Sequence, residues 1–219
     1  MITSIYITRE LGDVPLLQSF CEEHQLRLTA KSQISFESLD FEIARPFDVV
    51  FFSSPRSVIH FLSRVPIPEN VAIGCVGKGT AEQVQRAGFN PDFIGSTPGE
   101  PSKNAKELAG WLGNRRILFP VSEISKGSLA EFIPSSQVET VFVYTTKRSP
   151  VSIDQHNVYI FSSPSNVDSF LLQNPSPSGI VVAWGKSTER SLREQSIIPF
   201  ITLLQSEESE LISQLLTLL

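Results

Sequence analysis

Short hydrophobic runs recur along the chain and alternate with stretches in which apolar and polar residues are mixed. The runs are rich in valine, isoleucine and phenylalanine, and they predict strands at SIYIT, FDVVFF, VAIGCVG, DFIG, RRILFP, NVYIF, GIVVAWG and PFITLL. Strands that are apolar throughout are typical of parallel sheets with helices packed on both faces. The pattern therefore predicts the α/β fold class.

An internal repeat divides this pattern into two copies. Residues 49–62 (VVFFSSPRSVIHFL) align with residues 158–171 (VYIFSSPSNVDSFL), and eight of the fourteen positions are identical. The alignment continues in the same order, with GKGT at 77–80 matching GKST at 185–188 and Pro91 matching Pro199. Because chance similarity does not keep its order along a chain, each copy predicts one domain.

One strand–helix unit lies in a different place in the two copies. The first copy is followed by RRILFPVSEISKGSLAEFI, whereas the counterpart in the second copy, SIYITRELGDVPLLQSFCEE, stands at the start of the chain. One domain is therefore predicted to consist of residues 1–26 and 151–219. The other domain, residues 37–137, is predicted to be inserted into it.

The segments 27–36 and 138–150 must then connect the two domains. In RLTAKSQISF the side chains alternate, so that one side carries Leu28, Ala30, Ile34 and Phe36 and the other carries Arg27, Thr29, Lys31 and Gln33. The return segment contains VETVFVYTTK. We expect two similar doubly wound, flavodoxin-like parallel-sheet domains joined by a two-stranded antiparallel β-ladder, which forms a hinge facing the ligand cleft.

Composition narrows the classes of function. A net charge of −5 without a basic cluster argues against nucleic acid as a partner. No apolar run reaches the roughly 20 residues that span a bilayer, and MITSIYITRE lacks the layout of a signal peptide, so we expect no membrane contact and a cytoplasmic location. The apolar surroundings of Cys21 and Cys75 predict buried, inert thiols. His24, His60 and His156 lack metal-ligand spacing, so we expect no metal and give them no role.

The repeated motifs fall where predicted strands lead into helices, which is where ligands bind in doubly wound sheets. In FSSPRS, Ser54 suits the N-cap and Pro55 the first helical position, and Ser163 and Pro164 repeat this arrangement. GKGTAEQV and GKSTERSL each predict a helix capped by threonine after a glycine. Four such helix ends favour an anionic ligand, although capping alone remains an alternative for each motif.

Common catalytic motifs do not fit this chain. GKGTAE lacks the third glycine of a dinucleotide fingerprint. Neither GKGT nor GKST is preceded by a glycine at the spacing of a phosphate loop. There is also no Gly-x-Ser-x-Gly nucleophile motif. The chemistry is therefore expected to require few catalytic side chains and no cofactor.

The chain resembles the uroporphyrinogen-III synthase family over essentially its whole length. The resemblance rests on the order of short motifs: Thr8-Arg9, FSSPRSV at 52–58, VGKGTA at 76–81, NAKEL at 104–108, ILFP at 117–120, VYTT at 143–146, FSSPSNV at 161–167 and GKST at 185–188. The family fold, two α/β domains bridged by a β-ladder, agrees with the architecture predicted from the repeat. Trp184 departs from the family pattern, in which a small or aliphatic residue is commoner before the glycine.

The resemblance implies a hydro-lyase of tetrapyrrole biosynthesis that uses no cofactor. Its substrate is hydroxymethylbilane, an open-chain tetrapyrrole with eight carboxylates, which is closed to uroporphyrinogen III with loss of water and inversion of ring D through a spiro intermediate. Tyr144 matches the tyrosine of the family's Val-Tyr-x-Thr and is implied to help the hydroxyl leave. Packing of the hinge is the alternative role for Tyr144.

The motifs and the resemblance together define the expected binding site. The residues expected to bind the substrate are Thr8, Arg9, Ser53, Ser54, Arg56, Lys78, Gly79, Thr80, Lys126, Ser162, Ser163, Ser165, Asn166, Lys186, Ser187 and Thr188. We expect a monomer, with transient contact to the preceding or following tetrapyrrole enzyme. Two other functions stay open: a non-catalytic two-domain binding protein for a small polyanion, and a degenerate synthase that serves as a partner of other tetrapyrrole enzymes.

Overall fold

The computed structural model describes residues 2–96, 101–125 and 129–219, with the backbone only at 101 and 102. The chain divides into two compact units. Unit 1 consists of Met1–Ser35 and Lys147–Leu219, and unit 2 is the continuous segment Phe36–Thr146. These units contain the two predicted domains and also include the predicted connecting segments, 27–36 and 138–150.

Strands and helices alternate along most of the described chain. The strands are β1 (Ser4–Ile7), β2 (Arg27–Ala30), β3 (Ile34–Ser38), β4 (Val49–Phe52), β5 (Ala72–Cys75), β6 (Phe93–Ile94), β7 (Ile117–Ser122), β8 (Val138–Arg148), β9 (Val158–Phe161), β10 (Ile180–Ala183) and β11 (Ile201–Thr202). The helices are α1 (Pro15–Glu23), α2 (Pro55–Leu62), α3 (Lys78–Arg86), α4 (Pro101–Leu112), α5 (Pro164–Phe170), α6 (Lys186–Glu194) and α7 (Glu208–Leu216). Every strand predicted from the hydrophobic runs is present, and the predicted α/β class is confirmed. Within the described ranges, no helix is long and apolar enough to cross a bilayer.

Unit 1 is built on a five-stranded sheet in the order β11-β10-β9-β1-β2, and its paired strands are parallel. Alternate side chains of β1 enter different cores. Ile5 and Ile7 pack with Leu17 of α1 and Leu211 of α7. Tyr6 points to the other face and packs with Phe170 of α5. Helices therefore cover both faces of the sheet, as its continuously apolar strands require.

Unit 2 is built on a six-stranded sheet in the order β3-β8-β7-β4-β5-β6. Its strands also send alternate residues to two cores: Val50 and Phe52 pack with Phe61 of α2, whereas Val49 and Phe51 pack with Leu108 of α4. The order β8-β7-β4-β5-β6 matches β2-β1-β9-β10-β11 of unit 1, strand for strand. The sequence repeat is thus a repeat of sheet topology, in which β1 and β2 take the places that β7 and β8 occupy in unit 2.

The segment predicted as one strand of the ladder is divided between the two sheets. Arg27–Ala30 forms β2 and pairs in parallel with β1, whereas Ile34–Ser38 forms β3, the neighbour of β8. Gln33, which lies between the two strands, is fully buried. Its side-chain amide donates to Tyr6 Oη (2.8 Å) and accepts from the Val151 amide (2.7 Å), so both polar groups have partners. A hinge between the domains stays a prediction.

The strand–helix unit predicted in unit 2 also differs from expectation. After β7, the described residues contain a single 3-10 turn at Ala130–Phe132, where its counterpart in unit 1 has the helix α1. Pro134 follows this turn two residues later and has no amide hydrogen for a longer helix.

A β-bulge interrupts the pairing of β7 with β8. Val121 pairs with Phe142, but the next residue, Ser122, pairs with Tyr144, so β8 carries one extra residue, Val143. Such a bulge shifts the alternation of side chains and redirects those that follow. Val143 and Tyr144 are consecutive and both buried, which a regular strand with one solvated face does not allow. The bulge therefore turns Tyr144 into the core of unit 2.

The two thiols provide a test of this packing. Cys21 and Cys75 are free and buried, and burial raises the pKa of the Cys21 thiol to about 11 and that of Cys75 to about 12. Because the thiolate is the reactive form, we expect neither thiol to be alkylated at pH 8 in the native protein, while both react after unfolding in urea. Mass spectrometry after a short iodoacetamide pulse measures this, and rapid labelling of the native protein would contradict it.

Candidate active site

In unit 2 the end of β4 leads directly into α2 through Ser53 and Ser54. The Ser54 hydroxyl accepts from the Ser57 amide (3.1 Å), and Pro55 occupies the first helical position. The Ser57 hydroxyl donates back to the Ser54 carbonyl (2.8 Å). The predicted N-cap at Ser54 is therefore confirmed, and these bonds fix the serine at the carboxyl edge of the sheet.

An aromatic cluster surrounds Tyr144 beside this helix end. We call Phe36, Ser54, Arg56, His60 and Tyr144 the tyrosine cluster. The Tyr144 hydroxyl lies 3.4 Å from Ser54 Oγ, and only 7% of the residue is exposed. The His60 ring stacks on the Tyr144 ring, with centroids 5.0 Å apart and planes 18° apart, while Phe36 meets Tyr144 edge-on at 5.9 Å. The phenol thus packs against two other rings.

The two rings that pack against Tyr144, those of Phe36 and His60, each have a further contact. The Arg56 guanidinium lies over the Phe36 ring, 3.6 Å from its centroid, which is a cation–π contact. His60 Nδ1 is 2.8 Å from the Ser38 hydroxyl of β3. Burial, and then the positive charge of Arg56, lower the pKa of His60 below its usual value near 6.5, so the imidazole is neutral at pH 7.

In unit 1 the corresponding edge is closed by a pair of hydroxyls. Thr8 follows β1 and Ser162 follows β9; the Thr8 hydroxyl accepts from the Ser162 amide (2.8 Å), and the Ser162 hydroxyl donates to the Thr8 carbonyl (2.8 Å). These bonds tie together the ends of two neighbouring strands. Thr8 is buried, so its hydroxyl serves this connection.

Asn166 connects the start of α5 to Gln33. Its side-chain oxygen accepts from the Gln33 amide (2.8 Å), and its NH₂ donates to Ser163 Oγ (3.0 Å), which is the N-cap of the helix. The predicted caps at Ser163 and Pro164 are therefore confirmed, whereas Asn166 is buried and its side-chain groups are used within the unit.

Arg9 lies next to this edge and is braced by an aromatic ring. Its guanidinium is 3.9 Å from the centroid of Trp184, the residue that follows β10. The Trp184 indole donates to the Ser206 carbonyl (2.8 Å), so the ring has a fixed plane. The departure from the family pattern at Trp184 thus supplies a platform for Arg9.

The glycine-containing motifs begin their helices differently from the prediction. Gly77 and Gly185 are the N-caps of α3 and α6, with no side-chain cap among the described residues. Thr80 and Thr188 lie in the first turn of each helix and are buried, so the expectation that they cap the helices was wrong. A glycine N-cap leaves the first helical amides without a side-chain acceptor of their own.

The remaining predicted site residues differ in exposure. Ser53 and Ser165 are half-buried. The positions that open the two glycine-capped helices are all exposed, namely Lys78, Gly79, Lys186 and Ser187. Lys126 lies outside the described residues. His60, Phe36, Trp184 and Gln33 were not predicted as parts of these arrangements. Only Trp184 carried a signal, since it breaks the family pattern.

The comparison with protein families identifies the chain. Residues 7–212 match the family described as uroporphyrinogen-III synthase HemD. The chain belongs to the uroporphyrinogen-III synthase family. It is therefore an enzyme of the hydro-lyase type in tetrapyrrole biosynthesis, and the resemblance stated from its motifs is confirmed.

Solved structures share the fold of this synthase family member at low sequence identity. The crystal structure of uroporphyrinogen-III synthetase from Helicobacter pylori has a TM-score of 0.73 and 15% identity, with 100% of both chains covered. A mutant uroporphyrinogen III synthase from the extremely thermophilic bacterium Thermus thermophilus has a TM-score of 0.55 and 13% identity, with 98% of this chain and 97% of that chain covered. No curated protein sequence is significantly similar. At such identities the structures establish the fold.

The role of Asn166 in this synthase can be tested through stability. Asn166→Leu leaves the buried Gln33 amide without its acceptor, and we expect the free energy of unfolding to fall by about 1–3 kcal/mol. Asn166→Asp keeps the acceptor oxygen and serves as the comparison, with a smaller expected loss because the first turn of α5 favours its negative charge. Urea unfolding of both variants measures the difference, and equal losses would contradict the assigned contact.

Proposed function

We propose that this chain closes hydroxymethylbilane to uroporphyrinogen III, with loss of water and inversion of ring D through a spiro intermediate. The observation that carries the proposal is the family match over nearly the whole chain. An electron-rich pyrrole expels the hydroxyl by itself to give an azafulvene, and the free bilane closes spontaneously to the symmetric isomer I. The enzyme's task is therefore to hold the terminal pyrrole so that its substituted α-carbon attacks, and orientation supplies the selectivity.

Tyr144 is the proposed catalytic residue. It lies at the bulge of β8, with its hydroxyl near the N-terminus of α2 and its ring between His60 and Phe36. A phenol O–H can donate a hydrogen bond to a departing oxygen. The proposal is that Tyr144 donates to the hydroxyl of the bilane as that hydroxyl leaves.

Binding of the carboxylates is proposed for the groups at the carboxyl edges of the two sheets. Arg9 and Arg56 each lie over an aromatic ring, which limits their movement and favours charge-assisted bonds to a carboxylate. The accessible starts of α3 and α6 add Lys78, Gly79, Lys186 and Ser187, with Lys126 as a further candidate. Such local donors offset the net charge of −5.

The hydroxyl and amide groups near strand ends complete the proposed site. Ser53, Ser54 and Ser165 are partly accessible and are proposed to contact the substrate, together with Ser162 and Ser163. For the buried members a positioning role is proposed instead, because their groups bond within the unit or lie in the first turn of a helix: these are Thr8, Thr80, Asn166 and Thr188. The enzyme is proposed to work in the cytoplasm as a monomer without a cofactor, with transient contact to neighbouring tetrapyrrole enzymes.

The isomer of the product tests the activity. Freshly prepared hydroxymethylbilane is incubated with the protein, the product is oxidised, and isomers I and III are separated by chromatography. We expect isomer III to predominate and its fraction to rise with enzyme concentration. Isomer I alone, formed at the rate seen without protein, would leave a binding protein for a polyanion as the better description.

Tyr144→Phe tests the proposed catalytic residue. The substitution removes only the hydroxyl and keeps the ring between His60 and Phe36, so we expect kcat to fall roughly 10- to 100-fold, as for loss of one strong hydrogen bond. Affinity for uroporphyrinogen III, measured under anaerobic conditions, should stay within about twofold, since the product lacks the departing hydroxyl.

Phe142→Leu is the control, because Phe142 lies in the same strand with about half of its surface exposed. It should leave kcat unchanged. If Tyr144→Phe turns over at the wild-type rate, Tyr144 has only a packing role and the proposed catalytic role is wrong.

A further inference from the structure

His60 is the group in the tyrosine cluster to which neither the sequence motifs nor the proposed mechanism gives a role. It lies on α2, one turn after Arg56, and is only half-buried. One ring nitrogen of His60 has a hydroxyl partner, and the plane of the ring lies against a phenol.

The contacts of His60 link Ser38 to Tyr144. Ser38 Oγ lies 2.8 Å from Nδ1, which fixes the rotation of the imidazole about its side-chain bond. The imidazole then stacks on Tyr144 at 5.0 Å, with 18° between the planes. Phe36 meets the phenol edge-on, and the Arg56 guanidinium covers the Phe36 ring. Two rings therefore oppose rotation of the Tyr144 ring.

The direction of the phenol decides where its proton is offered. Tyr144 follows a bulge, so the strand alone allows its side chain more than one orientation. With the ring stacked, the hydroxyl lies 3.4 Å from Ser54 Oγ at the start of α2. The neutral state of the imidazole at pH 7, which follows from its lowered pKa, leaves this stack free of an added positive charge beside Arg56.

We propose that His60 is a positioning residue for Tyr144: held by Ser38, its ring fixes the plane of the phenol so that the hydroxyl points to the start of α2, where the leaving hydroxyl is to be met. The inference rests on the proposed role of Tyr144. His60 itself does not touch the substrate in this proposal, and it acts only through the orientation of Tyr144.

Kinetics of paired variants test the proposal. We expect His60→Ala to lower kcat about ten-fold with KM within about twofold, because a misdirected donor slows the chemical step more than binding. His60→Phe keeps a flat ring and should recover kcat to within about threefold of the wild type. Ile59→Ala, an exposed neighbour on the same helix, is the control and should leave both constants unchanged.

A double-variant cycle separates positioning from general packing. If His60 acts through the Tyr144 hydroxyl, His60→Ala should change kcat by less than about twofold in a Tyr144→Phe background. An equal fall in kcat in both backgrounds, or an unchanged kcat in the single variant, would overturn the proposal. Ser38→Ala keeps every ring but removes the bond that holds the imidazole, and we expect it to lower kcat about threefold. This effect should vanish in His60→Phe, which has no Nδ1.

A measurement without turnover keeps this inference distinct from the proposed function. With labelled tyrosine, the ring resonances of Tyr144 are those lost in Tyr144→Phe, and the stacked imidazole should shift them. We expect these resonances to move away from their wild-type positions in His60→Ala. In His60→Phe, whose ring can also stack, they should keep a ring-induced shift. Resonances that do not move would overturn the stacking, whereas isomer I alone from the wild-type protein would overturn the proposed function.

Discussion

A parallel sheet that is covered by helices on both faces leaves no place for polar chemistry along its strands. In both units the strands send alternate apolar side chains to two cores, and polar groups appear where the strands end. Thr8 with Ser162, and Ser54 with Ser57, use their hydroxyls to fix those ends. This constraint concentrates the functional groups of each unit at one edge and gives them a rigid support.

The bulge in β8 brings an aromatic hydroxyl to this edge from within a strand instead of from a strand end. One extra residue places Val143 and Tyr144 side by side in the buried part of the strand, and the phenol then packs with rings from β3 and α2. Arg9 on Trp184 and Arg56 on Phe36 show the same use of aromatic rings to hold charged groups. In each case a flat apolar surface restricts a polar end that would otherwise move in solvent.

The sequence predicted the features that depend on local pattern and missed those that depend on register. Apolar runs indicated the strands, the repeat indicated the equivalent sheet orders, and serine followed by proline indicated two helix caps. Neither the bulge at Val143 nor the burial of Gln33 follows from spacing along the chain, because both arise from pairing with distant segments. The stack of His60 on Tyr144 joins a helix to a strand more than eighty residues later, so no motif contains both. Thr80 was misassigned because glycine, which has no side chain to signal a cap, begins the helix.

The divided arrangement of unit 1 has a consequence for synthesis of the chain. Thr8 and Ser162, which join β1 to β9, are 154 residues apart in sequence, and the whole of Phe36–Thr146 lies between them. When Thr146 has left the ribosome, the segment that forms unit 2 is complete, while β1 has only β2 beside it and lacks β9. One edge of this apolar strand therefore has no partner until β9 has been synthesised. The open edge of β1 is thus available to chaperones and to aggregation during translation, because β9 comes so late in the chain.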